Sequence, residues 1–231
     1  MNKEWSELNK KMQAQISKEK TFDEGKKTLL ELRNKLFACI KKLQGELSTE
    51  DFSAMPFINA DGYHSKSIAY SLWHIFRIED IVANDLIQQR KEILFSENFV
   101  SKIKSPLITT GNELVKNQIA EFSKKLNIQA LYEYCEKVKL STEEWLKNLS
   151  FKDLKTKYAD SDKERIKSLK VVSNDENAIW LIDYWCNKNI KGLIQMPFSR
   201  HWIMHVEAIL RIEAGIRKVR AKNNAVNGRR I

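Results

Sequence analysis

Apolar residues recur along most of this chain at steps of three and four, the spacing of one face of an α-helix, and the breaks in that pattern divide it into helices of unequal strength. Residues 2 to 19 carry Trp5, Leu8, Met12 and Ile16 among lysines and glutamines, a thin stripe suited to a short helix lying on a larger body. Thr21 is placed to cap a stronger helix over 22–46, with Leu29, Leu32, Leu36, Ile40 and Leu43 on one face. Between Ser48 and His64, Asp51, Pro56, Asn59, Asp61 and Gly62 favour turns, and the chain reverses there. From 67 to about 89 the stripe returns as Ile68, Leu72, Ile75, Val82 and Leu86, widened by Ile78 and Ile81 as in a helix with two neighbours.

Residues 90–126 are irregular and hold one further helix over 112–125, a connection long enough to carry the chain from one end of a bundle to the other. A third strong helix spans 128–148, with Leu131, Tyr134, Val138, Trp145 and Leu149 inward. The polar stretch from Phe151 to Ser173 reads as an inserted, exposed connection containing a short helix that ends near Leu169. Ala178, Ile179, Leu181, Ile182 and Trp185 form an apolar turn or two, Pro197 interrupts, and Ser199 opens a last helix to about Lys222. The reading is all-α: one domain over 1–222 with its core from about 22, followed by a flexible basic tail at 223–231.

Composition changes this picture little. With 7 Gly and 3 Pro the chain has few turn-formers, as long helices require. Of the net charge of +10, Arg217, Lys218, Arg220, Lys222, Arg229 and Arg230 supply six positive charges close to the end, so the body is only mildly basic and nucleic acid is not the expected partner. The 3 cysteines, Cys39, Cys135 and Cys186, have no paired spacing and read as inert thiols of a cytoplasmic protein. The first residues are too polar for a secretory signal, and no apolar run approaches a membrane span.

The candidate chemistry lies in the last helix, where His201 and His205 are two of only 4 histidines. At 100° per residue they share about a third of the helix circumference with Ala208, Ile209, Ile212, Ile216 and Val219, so both imidazoles face the core. Buried imidazoles need partners, and a metal ion is one that both can share; hydrogen bonds to Ser, Tyr or backbone carbonyls are the other. His74, on the flank of another long helix, is available as a third ligand. Three imidazoles with a further position are the composition of a catalytic zinc site, and nickel or iron is chemically acceptable.

The run Ser67-Ile-Ala-Tyr-Ser-Leu-Trp-His-Ile-Phe-Arg-Ile-Glu-Asp80, together with His201-x-x-x-His205 on a final helix, resembles the DinB-like (DinB/YfiT) superfamily. The resemblance covers most of residues 22–222. It implies an up-down-down-up four-helix bundle with a long crossover between the second and third main helices, often dimeric, holding a divalent metal, zinc or nickel, on His74, His201 and His205. It further implies a thiol-dependent S-transferase or hydrolase acting on a small molecule, a low-molecular-weight thiol among the candidates. A non-catalytic, stress-related metal- or ligand-binding bundle is the alternative, and a nucleic-acid-associated protein using the basic tail a lower one. The longer N-terminal segment and the insertion at 151–173 depart from the compact members.

Five further residues belong to this reading. His64 precedes the second main helix, where it can cap a helix, orient a substrate at the pocket mouth or reach the metal. Glu79, mid-stripe on its helix, needs a partner and can accept a hydrogen bond from a ligand imidazole or pair with an arginine. Trp73 and Trp202 point about 100° from the histidines beside them and read as packing residues. Glu207 falls off the core face and reads as solvated.

Overall fold

A computed structural model describes the backbone of residues 2–227 and side chains through Lys222, and it is all-helical, with no strand among the described residues. The helices, in order, are α1 (Lys3–Ile16), α2 (Phe22–Glu46), α3 (Thr49–Ser53), α4 (Ile68–Asp80), α5 (Ile93–Ser96), α6 (Phe99–Ile103), α7 (Asn117–Lys125), α8 (Ile128–Asn148), α9 (Asp160–Ser168), α10 (Glu176–Cys186), α11 (Ile190–Gln195) and α12 (Arg200–Asn227). Short 3₁₀ turns at Glu19–Thr21 and Lys152–Lys155 join some of them, and α4 runs on as a π-helical segment, Ile81–Ile87. The last helix thus continues beyond Lys222 into the region expected as a flexible tail, and residues 228–231 of that tail lie outside the described residues.

The four long helices are those the apolar stripes predict, and they pack on one another in a closed order: α4 against α8 and α12, and α2 against the same two. Lys26 Nζ, near the start of α2, donates to Lys147 O and Leu149 O at the end of α8. Tyr132, near the start of α8, donates through its hydroxyl to Ile40 O at 2.7 Å, so α2 and α8 run in opposite directions. Trp73 on α4 meets Tyr134 on α8, while Asn84 beyond α4 accepts from Ser141, so α4 and α8 run the same way. Arg33 stacks on Trp202 and Arg217 reaches back to Glu46, which gives α2 and α12 a common direction.

Local chemistry sets several ends. Ser67 caps α4, its hydroxyl accepting from Tyr70 N at 3.1 Å. Thr21 precedes α2 but does not cap it by its side chain; its hydroxyl instead donates to Gln15 O at the end of α1, because α1 turns directly back onto α2. Ser199 likewise turns its hydroxyl back to Ile194 O and Gln195 O rather than forward into α12. The connection expected to be irregular over 90–126 is broken into α5, α6 and α7, the last beginning at Asn117 rather than at 112.

The side chains bury two apolar clusters. One lies between α2, α4, α8 and α12 around Leu36, Trp73, Phe76, Tyr134 and Trp202. The second gathers Ile78 and the π segment with Phe22, Leu154, Ile166, Val171, Trp185 and Phe198. Residues 151–173 are mostly exposed, as their polarity suggests, but the segment is anchored: Leu154, Ile166, Val171 and Val172 are buried in this second cluster, while Leu169 is 41% exposed. Val219, placed by helical angle on the inward stripe of α12, is 51% exposed, because the core ends one turn earlier at Ile216.

Candidate metal centre

Three helical positions bring the histidines together. His74 sits in the middle of α4, and His201 and His205 occupy the first turns of α12, which crosses α4 at this level. All three side chains are buried, with His74 the most accessible at 6%. One ring nitrogen from each lies within 4.8 Å of the other two, and His74 Nε2 and His201 Nε2 stand 3.3 Å apart.

The protonation of His74 follows from its partner. Its Nδ1 is 3.0 Å from Thr110 O, and since a carbonyl only accepts, Nδ1 carries the hydrogen and Nε2 presents its lone pair to the cluster. That is the arrangement in which a metal-bound histidine is oriented by a second hydrogen bond. His201 Nδ1 and both nitrogens of His205 have no hydrogen-bond partner among the described residues. A buried imidazole left this way costs free energy, and a divalent ion shared by the three rings removes part of the cost; the donor set fits such an ion. Of the other way to satisfy these rings, hydrogen bonds to Ser, Tyr or backbone carbonyls, only the His74–Thr110 bond is made among the described residues.

Electrostatics point in the same direction. Burial lowers the pKa of His74 to about 4, with the Lys66 ammonium pushing it further down and the Thr110 carbonyl opposing. Burial also holds His201 and His205 well below the usual histidine value, reinforced by the neighbouring rings and, for His205, by Lys66. All three are therefore neutral near pH 7, the form that ligates metal.

A loop fixes the helix that carries His74. Tyr70, Trp73, His74 and Arg77, spaced along one side of α4, donate to Gly111 O, Thr109 O, Thr110 O and Ile108 O at 3.1, 3.0, 3.0 and 2.7 Å. Four successive carbonyls of one loop are thus bound to a single helix face. Gly111 permits this, with φ at +79° and a Cβ position only 3.1 Å from the Tyr70 ring. Tyr70 also stacks on His74, 5.7 Å between ring centres and 10° between planes.

Over the triad lies a cavity of about 200 Å³, walled by Tyr63, Asn112, Trp180, Leu181, Tyr184 and Trp185 and also bordered by Ile78, Met196 and Pro197. Tyr63 meets His205 edge-on at 4.9 Å.

The other candidates separate from the site. His64 packs edge-on against Phe57 at 5.8 Å and lines a different, larger cavity with Phe57 and Arg211; it does not join the converging nitrogens. Glu79 does not bind an imidazole. Its Oε1 and Oε2 accept from Arg33 at 2.7 and 3.0 Å, and Oε2 also accepts from Trp202 Nε1 at 2.7 Å. Trp73 and Trp202 are fully buried packing residues, each also donating a hydrogen bond. Glu207 is not merely solvated, since Asn2 N donates to its carboxylate. Of the thiols only Cys135 is fully buried, Cys39 and Cys186 being partly accessible, and burial raises the pKa of all three.

Fold and site together define an all-helical protein with a buried three-histidine cluster under an aromatic pocket. No protein-family model matches the chain, and no curated protein sequence matches it. Among the described residues, no helix is long and apolar enough to cross a membrane.

Proposed function

We propose that the chain is a metal-dependent enzyme of the DinB-like type, an S-transferase or hydrolase using a low-molecular-weight thiol or water, with zinc or nickel on His74, His201 and His205. The observation that carries this reading is the convergence of three neutral ring nitrogens within 4.8 Å, two of the rings lacking any other partner. When bound, such an ion supplies a Lewis acid that lowers the pKa of a water or thiol beside it. Thr110 holds the His74 tautomer, the loop at 108–111 fixes α4, and the aromatic wall limits water above the histidines. The pairwise directions of α2, α4, α8 and α12, with the long passage from α4 to α8, support an up-down-down-up four-helix bundle as the architecture. A homodimer goes with the same resemblance, and light scattering at several concentrations tests it.

One observation favours a second reading, a non-catalytic metal- or ligand-binding bundle. Apart from the histidines, the residues lining the pocket include no carboxylate or lysine, which leaves only the Tyr63 and Tyr184 phenols as proton-transfer groups. Metal analysis of purified protein tests the first step: about one divalent ion per chain is expected, lost in His205→Ala. A chain that neither carries nor regains such an ion, with His205→Ala no less stable than wild type, overturns the enzyme reading and the metal-binding form of the second. Thiol-dependent turnover by the loaded protein then separates enzyme from binding protein.

A further inference from the structure

The walls of the pocket over the triad carry more information than the triad itself. Four aromatic side chains line it, Tyr63 from the turn before α4 and Trp180, Tyr184 and Trp185 from α10, joined by Leu181, Ile78, Met196 and Pro197. Trp180 is 48% exposed and stands edge-on to Tyr184 at 5.6 Å, so an apolar ring faces solvent at the mouth. Its indole N–H is already used, donating to Asn177 O at 3.0 Å, which leaves only ring surface to offer a ligand. Asn112 is the one aliphatic polar side chain in the lining, and its Oδ1 is occupied by the Thr110 hydroxyl at 2.8 Å.

Two lysines stand close to the pocket. Lys66 lies over the ring of Tyr70, which stacks on His74, at 5.2 Å, Lys188 lies over the Tyr184 ring at 4.2 Å, and a metal ion on the triad would add two more charges. An aromatic enclosure is a common home for cations, but here a cation would meet repulsion at the floor. Neither lysine lines the cavity, so a second charge carried inside it has no ionic partner there, and burying an unpaired charge is costly. A cavity of about 200 Å³ is also below the range of roughly 300–1,000 Å³ typical of drug-sized ligands.

We infer that the site takes a small ligand with an uncharged apolar body of about one ring and a single ionisable head, of the arylalkyl thiol class, rather than a charged hydrophilic thiol. The body would lie against Trp180, Tyr184 and Leu181, and an ion held by His74, His201 and His205 would lower the pKa of the head so that its proton passes to solvent. This inference rests on the metal reading above.

Cobalt-loaded protein, whose visible spectrum reports ligands reaching the ion, is titrated with phenylmethanethiol and with 2-mercaptoethanesulfonate. The expected result is binding of phenylmethanethiol tighter by about tenfold or more. Trp180→Ala is expected to reduce that preference by about fivefold, with the cobalt spectrum before thiol addition unchanged. Equal binding of the two thiols, or a preference for the sulfonate, by a protein that does hold cobalt overturns the inference and leaves the metal site standing. Failure to hold cobalt at all overturns both.

Discussion

At the scale of single residues, the most constrained side chain outside the triad is Arg33. It is fully buried and gives its guanidinium to Glu79, to Glu143 at 3.2 Å and to Phe198 O at 3.1 Å, with the Trp202 ring 4.3 Å away. Removing a partner leaves a buried charge underpaired, so Glu79→Ala is expected to lower stability by about 3–5 kcal/mol in urea unfolding. Bound metal should stay at the wild-type level, because Glu79 bonds to Arg33 and Trp202 and to no histidine. A change below about 1 kcal/mol would contradict the buried-pair assignment. Glu79 was recognisable in the sequence as a carboxylate inside an apolar stripe, and one of its two possible partners was an arginine. Arg33 carried the same signal, lying between Leu29 and Leu36 on the stripe of its helix.

The histidines make a prediction of definite sign. In the metal-free chain His74 has its pKa lowered to about 4 by burial, against an ordinary value of 6.5. Between those values the unfolded chain takes up a proton that the folded chain refuses, so the neutral state's stability is fully present above pH 6.5 and is lost as pH falls toward 4. From His74 alone the loss approaches about 3 kcal/mol, and His201 and His205 act in the same direction. Glu92, whose pKa burial raises to about 8, and Asp80, also raised by burial, act in the opposite direction, so the histidine share is read as the difference in urea midpoint between chelator-treated wild type and His74→Gln, which should shrink as pH falls from 8 to 4. A difference that does not change with pH would show that His74 is not buried and neutral.

At the scale of elements, α1 shows how a thin stripe can still dock firmly. It packs on α2 where Gly25 faces Ile16, and a Cβ built at Gly25 would sit 2.6 Å from Ile16 Cγ2 and 2.7 Å from Ile16 N. Alanine is the better helix former by about 1 kcal/mol, yet the contact with backbone leaves no room for the methyl group. Gly25→Ala is thus expected to destabilise the chain by about 1–3 kcal/mol in thermal unfolding, against the sign that helix propensity alone would give. Increased stability would mean that α1 does not pack as closely as described. Asp80 gives a second case of one element holding another: it accepts from Ile93 N and Leu94 N at 2.9 Å, tying the start of α5 to α4, and from Tyr134 of α8 at 2.9 Å.

The long stripes made the four main helices readable, whereas two features were not. The loop at 108–111 acts on α4 through backbone carbonyls, which every residue type possesses, so no side-chain pattern could announce that Thr110 orients His74. Residues 151–173 are mostly exposed, as their lysines suggest, but their anchoring was not readable: Leu154, Ile166, Val171 and Val172 are too sparse for a periodic signal, although they join a cluster shared with α10 and α11.

At the scale of the whole molecule, the candidate site lies on a seam. The histidines come from α4 and α12, whose neighbours Trp73 and Trp202 belong to the first apolar cluster, while Leu181 and Trp185 in the pocket wall belong to the second. A metal ion alone joins α4 to α12. A ligand held between the ion and α10 joins the two clusters, so the segments on either side open less often and their amides exchange more slowly. Hydrogen exchange should therefore respond in two stages. Loading with zinc is expected to slow exchange mainly along α4 and the first turns of α12, and phenylmethanethiol added to the loaded protein to extend the protection to α10. Zinc-induced protection spread evenly over all helices would argue against a local joint between α4 and α12, and thiol-induced protection that leaves α10 unchanged would place the ligand elsewhere than against its aromatic face.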